Sequence, residues 1–257
     1  MKILTLNINS IRAHVESFMD ILRGGEYDTI LVQELKVENA SFPYNLFDEF
    51  GYNIKVFGQK SWNGVATFSK HSIEDVTMGL PTYSDVNARF LECVIDGHVR
   101  VINVYMPNGD CIDSPKFPYK IDWMNAFTKY ISQFIDSEEP VIIGGDYNVA
   151  IEDRDIWNHK NYIGSSISAP AARTIMNEWL NMGWIDAWRK IHPDDTDYTW
   201  YGYRGGDTVG KKQGLRLDYF LCNKTAEKMI TNCEIDIGPR LANKPTDHCG
   251  LMLEIND

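Results

Sequence analysis

The sequence predicts an α/β protein whose sheets contain both parallel and antiparallel strands. Short β-branched or alternating apolar runs are separated by stripes at helical spacing, and two of the runs are joined by Asp96-Gly97, a dipeptide that marks a tight hairpin. A hairpin argues against a purely parallel doubly wound sheet. The chain has 257 residues with 44% hydrophobic and 12% aromatic content, enough for a large core and too apolar for a disordered chain. No repeat, low-complexity block or linker divides it, so one domain over residues 1–257 is expected.

Taken in order, residues 2–8 run as a strand that ends near Asn7 and Asn9. Ser10 is placed to cap a helix carrying Val15, Phe18, Met19 and Leu22, which Gly24-Gly25 ends. The strand Thr29–Val32 finishes on Gln33-Glu34, and shorter strands are expected over 52–57 and 64–69. The hairpin pairs Phe90–Ile95 with Val99–Tyr105, and turn punctuation follows at Met106-Pro107-Asn108-Gly109. The longest helical candidate covers 117–136, with Trp123, Phe127, Tyr130, Ile131 and Phe134 assigned to core packing.

The apolar run Val141-Ile142-Ile143 stops at Gly144-Gly145, and Asp146-Tyr147-Asn148 follow at once, as where a buried strand delivers side chains at its carboxyl end. An irregular segment leads to Ser168, then a helix opened by Pro170 carries Ile175, Met176, Trp179 and Leu180. Residues 198–214 form a loop rich in glycine and aromatics. It holds Arg204, Lys211 and Lys212, with Arg216 just beyond, on a chain of net charge −11. Leu215–Leu221 and Leu251–Ile255 are read as the last two strands, the second preceded by Pro245-Thr246-Asp247-His248.

The acidic total argues against a general polyanion binder, so any nucleic-acid contact has to be local. The five cysteines are widely spaced without a Cys-x-x-Cys pair, which suggests neither a disulfide framework nor a cysteine zinc site and fits a reducing cytoplasm. The first residues carry no apolar segment of signal or membrane-span length. A soluble, unexported protein without a membrane partner is expected.

Predicted strand ends and their flanks supply Asn7, Glu34, Tyr105, Asp146, Asn148, Asp218, Asp247 and His248. Of the six histidines, His248 alone stands beside an acid at a predicted strand edge, where a carboxylate can fix an imidazole tautomer and support its charge. Hard cations such as magnesium take oxygen ligands and need few protein carboxylates. A phosphodiester near one needs a base for water and donors for developing charge. No motif for a covalent nucleophile, a phosphate-cradling lysine loop or a His-rich zinc site is present.

The blocks Leu6–Arg12, Val32–Lys36, Gly58–Lys60, Asn63–Ala66, Asn103–Gly109, Lys116–Lys120, Gly145–Ala150, Gly214–Tyr219 and Pro245–His248, in this order, make the sequence resemble the exodeoxyribonuclease III family of abasic-site endonucleases. That family lies within the wider endonuclease/exonuclease/phosphatase superfamily. The resemblance implies a four-layer α/β/β/α sandwich of two mixed, largely antiparallel sheets flanked by helices. It implies magnesium, for which manganese can substitute, held by Glu34 with Asn7 and with Asp247 completing the surroundings or assisting the leaving oxygen. Asp146 would orient or deprotonate water, Asn148 and Tyr105 would meet the phosphate, and His248 buttressed by Asp218 would place a positive charge on it. Whether Asp146 or the His248 and Asp218 pair is the base stays open.

The implied partner is double-stranded DNA with abasic sites or damaged 3′ ends, bound by a monomer through Arg12, Lys36, Lys60, Arg173, Trp200, Arg204, Lys211, Lys212, Leu215 and Arg216. Trp200 is expected to wall the pocket for a flipped sugar, because Leu215 stands where animal members carry tryptophan. Two glutamates common before Arg173 are here Ala171 and Ala172, which removes an expected support. A same-fold phosphatase for small phosphorylated molecules or lipids, and a binding module without catalysis, are the competing readings.

Overall fold

The computed structural model describes residues 1–256. The chain opens with β1 (Lys2–Asn7), α1 (Val15–Gly24) and β2 (Thr29–Gln33), then β3 (Asn53–Phe57), β4 (Val65–Ser69), β5 (Ile73–Met78), β6 (Phe90–Ile95) and β7 (Val99–Tyr105). It continues with α2 (Lys116–Ile131), β8 (Val141–Asp146), α3 (Pro170–Met182), β9 (Ile185–Asp186), α4 (Ala187–Ile191) and β10 (Asp218–Cys222). The last elements are α5 (Lys224–Glu227), β11 (Ile230–Asp236), α6 (Gly238–Leu241) and β12 (Gly250–Ile255).

Two six-stranded sheets form, ordered β11-β12-β1-β2-β4-β3 and β5-β6-β7-β8-β10-β9. Each has a parallel pair at its centre, β1 with β2 and β7 with β8, because α1 and α2 provide the crossovers. The remaining pairings are antiparallel.

Alternation along the central strands makes three apolar layers. Leu4, Leu6, Ile30 and Val32 meet Phe18, Met19 and Leu22 of α1. Ile102, Val104 and Ile143 meet Trp123 and Phe127 of α2 and Trp179 of α3. The opposite faces, with Ile3, Leu31, Val101, Ile142, Phe220 and Leu253, close on each other between the sheets. The four-layer sandwich implied by the resemblance is therefore present.

At Gly144, Leu31 of the first sheet and Phe220 of the neighbouring strand β10 press against the backbone of β8. A Cβ there would meet Phe220 at 2.5 Å and Leu31 at 2.7 Å, so only glycine lets those two residues fill the seam.

Some expectations need correction. Ser10 does not cap α1, which starts at Val15 after an N-cap His14 with no side-chain cap. Ser10 sits at φ 96 in the preceding turn. Leu215–Leu217 are not yet strand: Leu215 makes only isolated bridges to Trp200 and Ile156 before β10 begins at Asp218. The strands β5 and β11 were not anticipated. The Asp96-Gly97 hairpin is as expected, with both residues at positive φ and Ile95 opposite Val99.

Replacing Gly144 with valine should lower unfolding free energy by about 1–3 kcal/mol through overpacking, read by urea denaturation at unchanged m-value. A midpoint equal to wild type would show that Leu31 and Phe220 yield freely.

Candidate active site

The same alternation that builds the inner core delivers polar side chains to one end of it. On β1 the inner face reads Ile3, Thr5, Asn7; on β8 it reads Ile142, Gly144, Asp146; on β7 it reads Val101, Asn103, Tyr105. Tyr105 pairs in register with Asp146, and Asp146 with Asp218 of β10. One row across the second sheet thus faces Asn7 of the first, at the carboxyl ends of the parallel strands where open α/β sheets build their sites. Glu34 follows β2 at φ 54, a left-handed position that breaks the strand alternation after the inward-facing Gln33.

Asn7 Nδ2 donates to Glu34 Oε1 at 2.8 Å and to Asp146 Oδ2 at 2.9 Å. It bridges one carboxylate from each sheet. Asn7 Oδ1 accepts from Asn9 N at 3.0 Å, so Asn7 turns its nitrogen to the acids and acts as a bridging donor between them, with one lone pair of its oxygen left. Glu34 also pairs with Lys36 Nζ at 2.8 Å. Burial opposes its ionisation, but Lys36 and Asn7 hold its carboxyl below the ordinary range.

Asp146 is almost fully buried. Its Oδ1 accepts from Asn148 N at 2.9 Å, and its Oδ2 from Asn148 Nδ2 at 3.3 Å. Burial raises its pKa to about 7, with the Asp218 charge adding and His248 opposing. His248 Nδ1 lies 2.9 Å from Asp218 Oδ2, and its Nε2 lies 3.9 Å from Asp146 Oδ2. Burial alone would disfavour the imidazolium, but Asp218, Asp146 and Asp247 outweigh it and carry the pKa to about 10. Burial, with Glu34 and Asp146 nearby, keeps Tyr105 a phenol and hence a donor.

Asp247 accepts from Asn9 Nδ2 at 2.9 Å and from Trp200 Nε1 at 3.0 Å. Lys36 Nζ reaches Asn9 Oδ1 as well as Glu34, so Asn9 and Lys36 link Glu34 to Asp247. Among the described residues no three His, Cys, Asp or Glu side chains form a ready-made metal cage. Magnesium needs only one or two carboxylates and retains waters. Glu34, partly open to solvent and already facing the Lys36 ammonium as a cation stand-in, fits that demand.

A family model described as Endonuclease/Exonuclease/phosphatase family matches residues 4–248. The chain belongs to the endonuclease/exonuclease/phosphatase family. Over 266 residues it is 29% identical to a protein named exodeoxyribonuclease III from Haemophilus influenzae, covering 99% of both chains. It is 35% identical to an AP endonuclease of known structure from Archaeoglobus fulgidus, with a TM-score of 0.95 and all of each chain covered. It is 31% identical to a 3′ phosphatase from Neisseria solved with a product DNA hairpin, again with a TM-score of 0.95 and full coverage of both.

Within this endonuclease/exonuclease/phosphatase chain the expected basic residues divide. Arg12, Lys60, Arg204, Lys211 and Lys212 are exposed. The loop carrying the last three is tied to the Asp247 turn: Tyr201 N donates to Asp247 O at 2.8 Å and Tyr203 Oη to Pro245 O at 2.9 Å. Lys36 is drawn into the site. Arg216 does not face DNA: it is 1% exposed, paired with Asp155 at 2.8 Å and Asp186 at 2.6 Å, and stacked over Trp188 and Tyr219. Leu215 is likewise buried, behind the half-buried Trp200 in a cluster with Ala150, Ile156 and Leu217. Arg173 holds Ala150 O at 2.8 Å and Asp153 at 2.7 Å, but its Nη2 is buried without a partner; Ala171 and Ala172 offer no acceptor to it.

Sequence reasoning missed Asn9, Arg89, Asn108 and Lys120 as part of the site. Asn9, Asn108 and Lys120 stand inside the family-like blocks, whereas Arg89, whose guanidinium covers the Tyr105 ring at 5.0 Å, has no local signal.

Arg216→Met should destabilise the fold by about 3–5 kcal/mol, because Asp155 and Asp186 lose a buried partner. Lys211→Ala with Lys212→Ala should leave the melting temperature within a degree or two. Calorimetry of the three proteins compares them; equal melting temperatures would return Arg216 to the surface set.

Proposed function

We propose that this protein is a metal-dependent DNA-repair nuclease that hydrolyses phosphodiesters of duplex DNA, incising 5′ to abasic sites and removing nucleotides or blocking groups from 3′ ends. The observation that carries the reading is the junction at the sheet ends, where Glu34, Asn7, Tyr105, Asp146, Asn148 and the Asp218–His248 pair meet. An acceptor for a proton, donors for a phosphate and a carboxylate for a hard cation are all within it. The named relatives, an exodeoxyribonuclease III, an AP endonuclease and a DNA-bound 3′ phosphatase, support the substrate class.

Asp146 serves as the base in this proposal. Its carboxyl is poised near neutrality at about 7, whereas His248, near 10, keeps its proton and supplies positive charge to a phosphate oxygen. Asp218 holds the imidazole by Nδ1. The Tyr105 hydroxyl adds a neutral donor for charge that develops on the phosphate, and Asn148 Nδ2, which donates to Met106 O at 3.0 Å and at a longer 3.3 Å to Asp146 Oδ2, turns its second N–H to that charge as Asp146 takes a proton. Glu34, with Asp247 across Asn9, would hold magnesium or manganese, which supplies Lewis-acid neutralisation of the phosphate when bound. Trp200 and the apolar cluster behind it form the wall offered to an extruded sugar. Arg12, Lys60, Arg204, Lys211 and Lys212 supply the local positive charge for a duplex on an otherwise acidic, cytoplasmic monomer. No described helix is long and apolar enough to cross a membrane.

A duplex with one abasic analogue should be cut 5′ to the lesion with magnesium and spared with chelator. Absence of that cut, or preference for small phosphate esters, would defeat the reading. Asp146→Asn and His248→Ala should each slow single-turnover incision by at least about a hundredfold with folding intact; near-normal rates would strip that residue of its role. Removing Lys211 and Lys212 together should weaken DNA binding and flatten its salt dependence, and an unchanged slope places the duplex elsewhere.

A further inference from the structure

Lys120 is a fully buried cation to which the chemistry above gives no task. It projects from α2, and its Nζ donates to Asn148 O at 2.6 Å and to Asn108 O at 3.1 Å. Both carbonyls belong to irregular backbone just beyond β8 and β7, where no strand partner is available to satisfy them. The side chains of the same two residues are joined, since Asn108 Nδ2 donates to Asn148 Oδ1 at 2.8 Å. Asn148 in turn points its Nδ2 at Asp146 Oδ2, 3.3 Å away, and at Met106 O, 3.0 Å away. Asn148 also stands at φ 50, a left-handed conformation that asparagine adopts more readily than other residues with a Cβ.

We propose that Lys120 is a positioning residue: its Nζ clamps the Asn108 and Asn148 carbonyls together, and this fixes the Asn148 carboxamide against Asp146 and the phosphate. The inference rests on the phosphodiester hydrolysis proposed above. Space around the clamp is limited to what a lysine stem needs. Gly109, at φ 84, runs against it so closely that a Cβ would meet Lys120 Cδ at 2.9 Å, and Ser166 Oγ secures Asn108 O from another side at 2.6 Å. Burying an ammonium is costly, so an apolar residue would serve packing better; the two inward carbonyls explain why a lysine is there. Burial brings its pKa down to about 7 against the pull of Asp146. A neutral amine still has two N–H groups for the two carbonyls, so the clamp holds in either state.

A double-mutant cycle of Lys120→Met and Asn148→Ala on the abasic duplex tests this, with magnesium and single-turnover kinetics. Lys120→Met should lower kcat by about tenfold to a hundredfold and leave KM for DNA within about twofold, as expected for a misaimed group. In the Asn148→Ala background the same change should cost no more than about threefold, because the residue through which Lys120 acts is gone. Normal kcat in Lys120→Met overturns the clamp, and so do fully additive losses, which would mark a structural role. If Lys120→Met does not fold, as judged by circular dichroism and melting, Lys120→Gln, which keeps a donor for one carbonyl, takes its place with the same criteria. A wild type that cuts no DNA defeats the functional reading, and this inference with it; a wild type that cuts while the lysine variant cuts equally defeats this inference alone.

Discussion

One carboxamide joins the acids of the two sheets where the sandwich opens. Asn7 Nδ2 lies within 2.9 Å of Asp146 Oδ2 and 2.8 Å of Glu34 Oε1, so two carboxylates that would repel in poorly screened surroundings share a donor instead. That bridge requires Asn7 to be immobile. Thr246 Oγ1 holds its carbonyl at 2.8 Å, and Asn9 N holds its side-chain oxygen at 3.0 Å. One layer deeper, Gln33 Nε2 reaches Thr5 Oγ1 and Asn103 Oδ1, and Asn103 Nδ2 reaches Ala66 O. Polar bonds therefore stitch the sheets behind the site while Leu31 and Phe220 close over Gly144, and the spacing between the acids is set by the whole sandwich.

Where physical chemistry acts over a few residues, the sequence was legible. The hairpin at Asp96-Gly97, the proline start of α3 and the Phe18, Met19, Leu22 stripe each follow from local rules and occur as read. The strand ends bearing Asn7, Tyr105 and Asp146 were also visible, since an apolar run that stops on a polar residue needs no partner to be noticed. The strand β5 was not, because Glu74 and Asp75 are exposed along it and its apolar content is thin; β11 is a half-exposed edge strand for the same reason. Ser10 has the chemistry of a cap, but the turn needed to bring Asn9 and Lys36 to Glu34 displaces the helix start to Val15.

Charge was the least legible property, because burial decides its meaning and burial is a tertiary fact. Arg216 sits beside a basic loop in sequence, yet its neighbours in space are Asp155, Asp186, Trp188 and Tyr219. It anchors the segment that leads into Asp218, whose own amide is held by Thr199 Oγ1 at 3.1 Å. Lysines 211 and 212 have the same formal charge and remain exposed. On a chain of net charge −11, a cation that is structurally consumed cannot also neutralise phosphate, so the set of cations free to meet a polyanion is smaller than the basic residues near the motifs suggest.

The proton inventory of the site follows from which acids have cationic partners. Glu34 has Lys36, and Asp218 has His248 Nδ1. Asp146 has amide donors and an imidazole nitrogen 3.9 Å away, too far for a hydrogen bond. Desolvation therefore acts on Asp146 with the least direct compensation, and its affinity for a proton rises while that of Glu34 falls. The same distance leaves the His248 Nε2–H with no bonded acceptor on Asp146, while the Nδ1–H on the far side of the ring is held by Asp218. A phosphate oxygen placed between Asp146 and His248 would be the partner that this nitrogen lacks. Asp146 and Asp218 face each other on neighbouring strands of one sheet, and the difference between them is that Asp218 bonds the imidazole while Asp146 stands 3.9 Å from it.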